Sequence, residues 1–217
     1  RLDPYDIYTA NPDGSHLDRL TRYGVYTAEG TLSPDGSTIV FTSLKDGDLD
    51  IYTMRADGSN VRRLTNTPGY DGGPFFSPDG KQIVYRAWHP RDTALANYRA
   101  LLDQRLVRPN RMEIWVMNVD GSNQHQITNI GGANFAPYFA PDGQRIIFSS
   151  NYKNPHSRNF DLYLVNSDGT GLEQVTNHPE FDGFPMFSPD GKTLVWAANR
   201  RGGAVDQLDI YIADWVP

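Results

Sequence analysis

Apolar residues in this chain come in short runs rather than long stripes. Four runs are near copies, TIVF (38–41), QIVY (82–85), RIIF (145–148) and TLVW (193–196). A second set opens on an acid: DIY, DIY, EIW, DLY and DIY, beginning at Asp6, Asp50, Glu113, Asp161 and Asp209. β-Branched and aromatic residues at neighbouring positions suit strands covered on both faces. Between the runs stand two kinds of turn. SPDG or APDG begins at Ser33, Ser77, Ala140 and Ser188, and DG followed by Ser or Thr begins at Asp13, Asp57, Asp120 and Asp168. In the first, proline presets φ, aspartate bonds its own backbone and glycine closes the turn; the second is a hairpin signal.

Both markers repeat with the same spacings, 44, 63 and 48 residues by subtraction of their starting positions. A period in the forties with two turns per period predicts a β-propeller, in which a four-stranded blade buries its faces only against the next. Lettering the strands a to d, the fold class is all-β, with complete antiparallel blades over 26–65, 70–128 and 134–176. Partial blades lie at both ends, strands c and d at the start and a, b and c at the finish. The N-terminal LDRLT (17–21) is a candidate for the missing last strand, which leaves DIYTAN (6–11) in surplus. We therefore expect one domain over 1–217, the C-terminal part of a larger, six-bladed propeller, whose open faces would favour a homo-oligomer.

The a–b and c–d turns share one end of such a propeller and are short. The b–c and d–a connections share the other end, which holds every long loop, 44–49, 89–111, 151–160 and 199–208. Unusual loops on a rigid scaffold are disproportionately functional. Within the 89–111 insertion, Asp92 or Thr93 can cap a short helix whose Leu95, Tyr98, Leu102 and Leu106 form one stripe. Arg108 precedes Pro109, so the helix is expected to stop near Val107 and to fold back on its own propeller.

The SPDG turn, DIYTM (50–54), the DGS turn and Arg63-Leu64-Thr65 together resemble the TolB-type propeller repeat, which also occurs in prolyl-oligopeptidase-like and tricorn-type peptidases. Residues 98–118 and the ending DIYIADW are similar to a subgroup of bacterial TolB-like proteins. The resemblance implies a non-enzymatic binding or scaffold propeller, periplasmic or secreted. It would recognise a protein, peptide or glycan through the face carrying the b–c and d–a loops. The alternative is an accessory or substrate-gating domain of a peptidase or polysaccharide lyase. Fold by itself does not certify either.

Composition narrows the chemistry. Asp and Glu number 26 against 20 Lys and Arg, a net charge of −6, so a sequence-independent grip on nucleic acid is not expected. Cysteine is absent, which excludes thiolate metal sites. No apolar stretch approaches the roughly 20 residues of a membrane span. GxSxG, HExxH, P-loop and Rossmann patterns are missing, so no catalytic residue is assigned.

Three groups of binding candidates remain. Six residues before each (S/A)PDG turn stand Thr27, Asp71, Asn134 and Asp182, with Glu29 two positions further on in the first copy. These oxygens are expected to gather round the channel mouth. Asp71 and Asp182 are the metal candidates, for Ca²⁺ or Mg²⁺, against the alternative of hydrated or backbone-bonded acids. Tyr70, Trp88 and Phe181 sit where strands meet the variable loops and offer aromatic contact area. Arg158, Arg200 and Arg201, in neighbouring b–c loops, could meet a ligand carboxylate.

Overall fold

The computed structural model describes residues 1–108, 110–200 and 207–216. The chain begins with a two-stranded sheet, β1 (Tyr8–Thr9) and β2 (Asp18–Arg19). Three four-stranded antiparallel blades follow. The first holds β3 (Thr27–Leu32), β4 (Thr38–Ser43), β5 (Asp50–Arg55) and β6 (Arg62–Arg63). The second holds β7 (Tyr70–Phe76), β8 (Gln82–Trp88), β9 (Glu113–Asn118) and β10 (His125–Gln126), with helix α1 (Asp92–Leu102) between β8 and β9. The third holds β11 (Asn134–Phe139), β12 (Arg145–Ser150), β13 (Asp161–Asn166) and β14 (Glu173–Gln174). A three-stranded blade, β15 (Asp182–Phe187), β16 (Thr193–Ala198) and β17 (Asp209–Asp214), ends the series.

The first strands β3, β7, β11 and β15 pack side by side in that order. Burial happens between blades. Val84, Ile114 and Val116 of the second blade meet Phe139, Phe148 and Tyr163 of the third, and Val40 and Ile51 of the first meet Phe76, Ile83 and Tyr85 of the second. The last blade packs through β15 against β11, β12 and β13 of the third blade. LDRLT does not complete the last blade: its Asp18 and Arg19 pair with Thr9 and Tyr8. Eight residues, 9–16, separate the acid-led DIY from that segment's first leucine, so the local hairpin forms at lower loop-closure cost than pairing across the chain.

The turns work by the chemistry their residues predict. Ser33 Oγ donates to Asp35 Oδ1 (2.6 Å), Ser37 N donates to the same oxygen (3.0 Å), and Thr38 N donates back to Ser33 Oγ (3.0 Å). The Ser33 hydroxyl, with the Ser37 donors, holds the Asp35 carboxyl down at about 2. Gly36 closes the turn at φ +71°.

A second repeated device joins strands c and d. In the first full blade Thr65 Oγ1 accepts the Ile51 N–H (2.9 Å) and donates to Asp50 Oδ1 (3.2 Å). Arg63 bonds both Asp50 Oδ2 (2.6 Å) and the Thr65 carbonyl (2.8 Å). The same threonine-to-backbone bond recurs from Ile7 to Thr21, Ile114 to Thr128 and Leu162 to Thr176, each at 2.9 Å. In all four hairpins the Thr hydroxyl accepts the strand c N–H, and the Thr, the Arg or the Gln of strand d bonds the acid that opens strand c.

Helix α1 folds back as expected, burying Tyr98 against Leu2, Leu49, Tyr70 and Met112. The Tyr98 hydroxyl lies 2.6 Å from Asp48 Oδ1 and 2.7 Å from the Gly69 carbonyl. The helix ends at Leu102, short of Val107, and Leu106 is exposed. The reason is a left-handed closing residue, Arg105 (φ +57°), with Leu106 N bonded to Leu101 O and Arg105 N to Leu102 O, which stops the helix before the Arg108-Pro109 step is reached.

Candidate functional site

Each first strand carries a bulge at one position, four residues before its turn. There Glu29, Gly73, Ala136 and Phe184 adopt left-handed φ values of +59°, +60°, +46° and +57°, and the pairing to the second strand shifts register. Three of the four are not glycine. A left-handed conformation in such residues costs free energy that the surrounding structure must offset, and it concentrates at functional positions.

At the end of the propeller that carries the variable loops, a cavity of about 300 Å³ draws residues from all four blades. Glu29 and Arg86 supply its charges, Ser149 a hydroxyl, and Phe135, Phe160, Phe181 and Phe184 its walls. The phenyl rings run in series, with centroids 5.5 Å apart for Phe135 and Phe160, 5.7 Å for Phe160 and Phe181, and 6.0 Å for Phe181 and Phe184. The Phe184 N–H donates to Ser149 Oγ (3.1 Å), and the residue is 58% exposed.

The charges at the base are paired. Arg86 Nη2 donates to Glu29 Oε1 (2.5 Å) and to the Tyr70 hydroxyl (2.6 Å), and Gly73 N donates to Glu29 Oε2 (2.8 Å). Burial pushes the Glu29 carboxyl up, but the Arg86 charge and its donors outweigh this and leave it below its ordinary value. Burial also raises the Tyr70 phenol to about 12, so it stays protonated. The Arg86 guanidinium further lies 5.4 Å from the Tyr70 ring centre and 5.9 Å from that of Phe135. The cavity therefore has an electrically balanced floor and apolar walls.

Of the residues singled out from sequence, Glu29 and Phe181 line this cavity, and Tyr70 supports its arginine. Trp88 lies apart, edge-on to Tyr98 under the helix at 6.0 Å. Thr27, Asp71, Asn134 and Asp182 do not open on a channel mouth; all four are fully buried. Each is tied to its own or an adjoining blade. Thr27 bonds Ser43 (2.9 Å), Asp71 Oδ1 meets His89 Nε2 (2.9 Å), Asn134 accepts from Ser150 (2.6 Å), and Asp182 accepts from Trp196 (3.0 Å) and Arg200 (2.7 Å). They stand two residues before the bulge, and in the first and last blades it is the bulge residue, Glu29 and Phe184, that lines the cavity. Asp71 and Asp182, the cation candidates, are thus held in separate seams; among the described residues no group of three His, Cys, Asp or Glu is placed to hold a metal ion. Arg158 is exposed, Arg200 is bound to Asp182 and stacked near Trp196 and Tyr211, and Arg201 lies outside the described residues.

Sequence reasoning missed Arg86, Phe135, Phe160 and Phe184. Phe184 was within reach, because counting four rather than six residues back from each turn aligns it with Glu29. Arg86 also stands out within its strand, where the equivalent residues are Thr42, Ser149 and Ala197.

A larger cavity, about 510 Å³, lies at the opposite mouth between Pro34, Pro78, Pro141 and Pro189. Size favours it, but those prolines are the repeat's own turn residues. The smaller cavity is built from residues that differ from blade to blade, and selectivity requires such differences.

Four-stranded antiparallel blades joined through a line of packed first strands define a β-propeller. The chain belongs to the TolB beta propeller domain family, which it matches over residues 2–104 and 105–214. No curated protein matches it by sequence. It is similar in structure to TolB from Acinetobacter baumannii, with a TM-score of 0.77 and 20% identity, covering 98% of this chain and 47% of that one. It thus spans about half the length of that relative. A putative TolB from Agrobacterium tumefaciens gives a TM-score of 0.69 at 23% identity, covering 98% of this chain and 77% of that one. A puromycin-hydrolyzing peptidase from Mycobacterium tuberculosis gives 0.66 at 16%, covering 98% of this chain and 33% of that one. At these identities the likeness concerns the fold. No helix among the described residues is long and apolar enough to cross a membrane.

Proposed function

We propose that the chain is a non-enzymatic binding propeller, periplasmic or secreted, that recognises a protein, peptide or glycan through the mouth carrying the b–c and d–a loops. The supporting observation is the convergence of all four blades on one aromatic cavity there, with the exposed Phe184 held out by a left-handed backbone. Ligand sites are concave and mostly apolar, with a few fixed polar groups. The periplasmic or secreted placement leans on membership in the TolB propeller family. Peptide and glycan arrays probed with the native chain and with Phe184→Asp test the reading. Ligands from one array are expected to bind the native chain and to lose about tenfold or more in affinity to the variant, the scale of one central contact. Equal binding by both proteins, or none by either, would refute it.

A second reading, an accessory domain that gates substrate to a peptidase or lyase, draws on the peptidase neighbour, of whose chain the shared fold makes up a third. On that reading the array ligands would be substrates of a partner enzyme.

A further inference from the structure

The net charge of −6 is unevenly divided along the chain. Residues 89–111, the insertion between β8 and β9, hold five of the 20 basic residues and two of the 26 acidic ones, so the insertion carries +3 and everything else −9. All five are arginine, Arg91, Arg99, Arg105, Arg108 and Arg111, and all five are exposed. Eight basic side chains outside the insertion are held in ion pairs, whereas among the described residues none of these five is. The backbone that carries them is nevertheless fixed. Tyr98 bonds Asp48 and the Gly69 carbonyl, and His89 bonds Asp71. The Leu2 N–H donates to the carbonyl of Arg105 (2.7 Å), whose own φ is left-handed at +57°. A surface in place before its partner arrives binds at a lower ordering cost.

We infer that the insertion is a docking surface for an acidic, extended segment of a partner polypeptide. The guanidinium fork takes a carboxylate through two parallel bonds, which suits arginine, and not lysine, to this role. Other anions fit less well. A sugar ring needs an exposed aromatic face to lie on, and Tyr98, the insertion's one Phe, Tyr or Trp, is 3% exposed. A lipid surface needs large apolar side chains beside the cations. The outward positions of α1 are Thr93, Ala96, Asn97 and Ala100, and Leu106 alone of the described insertion residues is large, apolar and exposed. A long polyanion such as DNA would run from the insertion onto a body charged −9 and be repelled, while a short acidic segment touches the insertion only. The surface lies at the same end as the aromatic cavity, but the cavity lining includes none of the five arginines, so the two stand or fall separately.

The probe is poly-L-glutamate, titrated against the 217-residue chain at low ionic strength. The native chain is expected to bind it, and added salt to weaken the binding. Replacing three of the arginines together, Arg99→Gln, Arg105→Gln and Arg108→Gln, should weaken it about tenfold, the scale of three exposed charge contacts. Arg55→Gln, Arg62→Gln and Lys192→Gln together remove the same charge from exposed positions elsewhere and should change binding by less than about twofold. Native circular dichroism in both triple variants confines the comparison to the surface. Equal losses in the two variants, or no binding by the native chain, overturn the proposal. So does tighter binding of polygalacturonate, of phosphatidylglycerol vesicles or of duplex DNA, which would assign the surface to a glycan, a membrane or a nucleic acid instead.

Discussion

At the scale of single residues, aspartate is used in two opposed ways. In the turns its carboxylate is exposed and accepts local donors, and the shift is downward, to about 2 for Asp35. In the locks between strands it is buried, and desolvation, partly offset by Arg63, raises Asp50 to about 6. The two contribute to stability with opposite signs. Asp35 favours the folded state above its unfolded value near 3.8, and that contribution is lost as the pH falls toward 2. Asp50 retains its proton in the folded state while the unfolded chain has already ionised. Its contribution is therefore intact below about 3.8 and is lost as the pH rises to about 6. Asp50→Asn keeps the acceptor for Thr65 without the charge. Urea titrations from pH 4 to 6.5 should show native stability falling relative to this variant by about 1–3 kcal/mol. A constant difference across that range would mean that the Arg63 pair keeps Asp50 ionised throughout.

At the scale of the element, the bulge in each first strand is the device that turns a repeat into a site. The same backbone geometry is filled by Glu, Gly, Ala and Phe in successive blades, and the two large side chains among them, Glu29 and Phe184, line the cavity. Gly73 and Ala136 make a matched test. A Cβ on Gly73 would lie 1.9 Å from Arg86 Nη1, and that arginine is held by Glu29 and Tyr70. Gly73→Ala is expected to cost about 1–3 kcal/mol, from backbone strain and a displaced arginine. Ala136→Gly, which relieves a left-handed alanine, should fall within about 1 kcal/mol of neutral. Denaturant midpoints would decide; a Gly73→Ala loss no larger than that of Ala136→Gly would show that Arg86 is not displaced at a cost.

At the scale of the whole molecule, stability passes from blade to blade. Each interior blade is sealed by two neighbours, while β1–β2 and β15–β17 have one each among the described residues. In such nearest-neighbour arrays the ends open first. Hydrogen exchange should be slowest in β8, β9, β12 and β13, and faster in β1, β2 and β17. Uniform protection across all sheets would indicate instead that the whole chain opens as one cooperative unit.

The sequence by itself determined the propeller class, the four strands of each of the three complete blades, the turn chemistry and the end of the molecule where the loops vary, but not which sheet the N-terminal LDRLT would join. These follow from local rules that a repeat states several times over: alternation of turns and apolar runs, and donors set within two or three residues of their acceptors. Arg63-Leu64-Thr65 was legible as a repeat marker, but its bonds to Asp50 were not, since the partners stand 13 and 15 residues apart. The site was legible only in part. Glu29 and Phe181 line the cavity and Tyr70 bonds its arginine, whereas Thr27, Asp71, Asn134 and Asp182, expected around a channel mouth, are buried within the blades. One left-handed residue decides which side chain leaves the seam and enters the cavity, and nothing in Ala136 or Phe184 announces it. The pairing of Glu29 with Arg86, 57 residues away, exists because blades packed side by side carry separate strands to a common mouth; only the tertiary structure could bring those charges together.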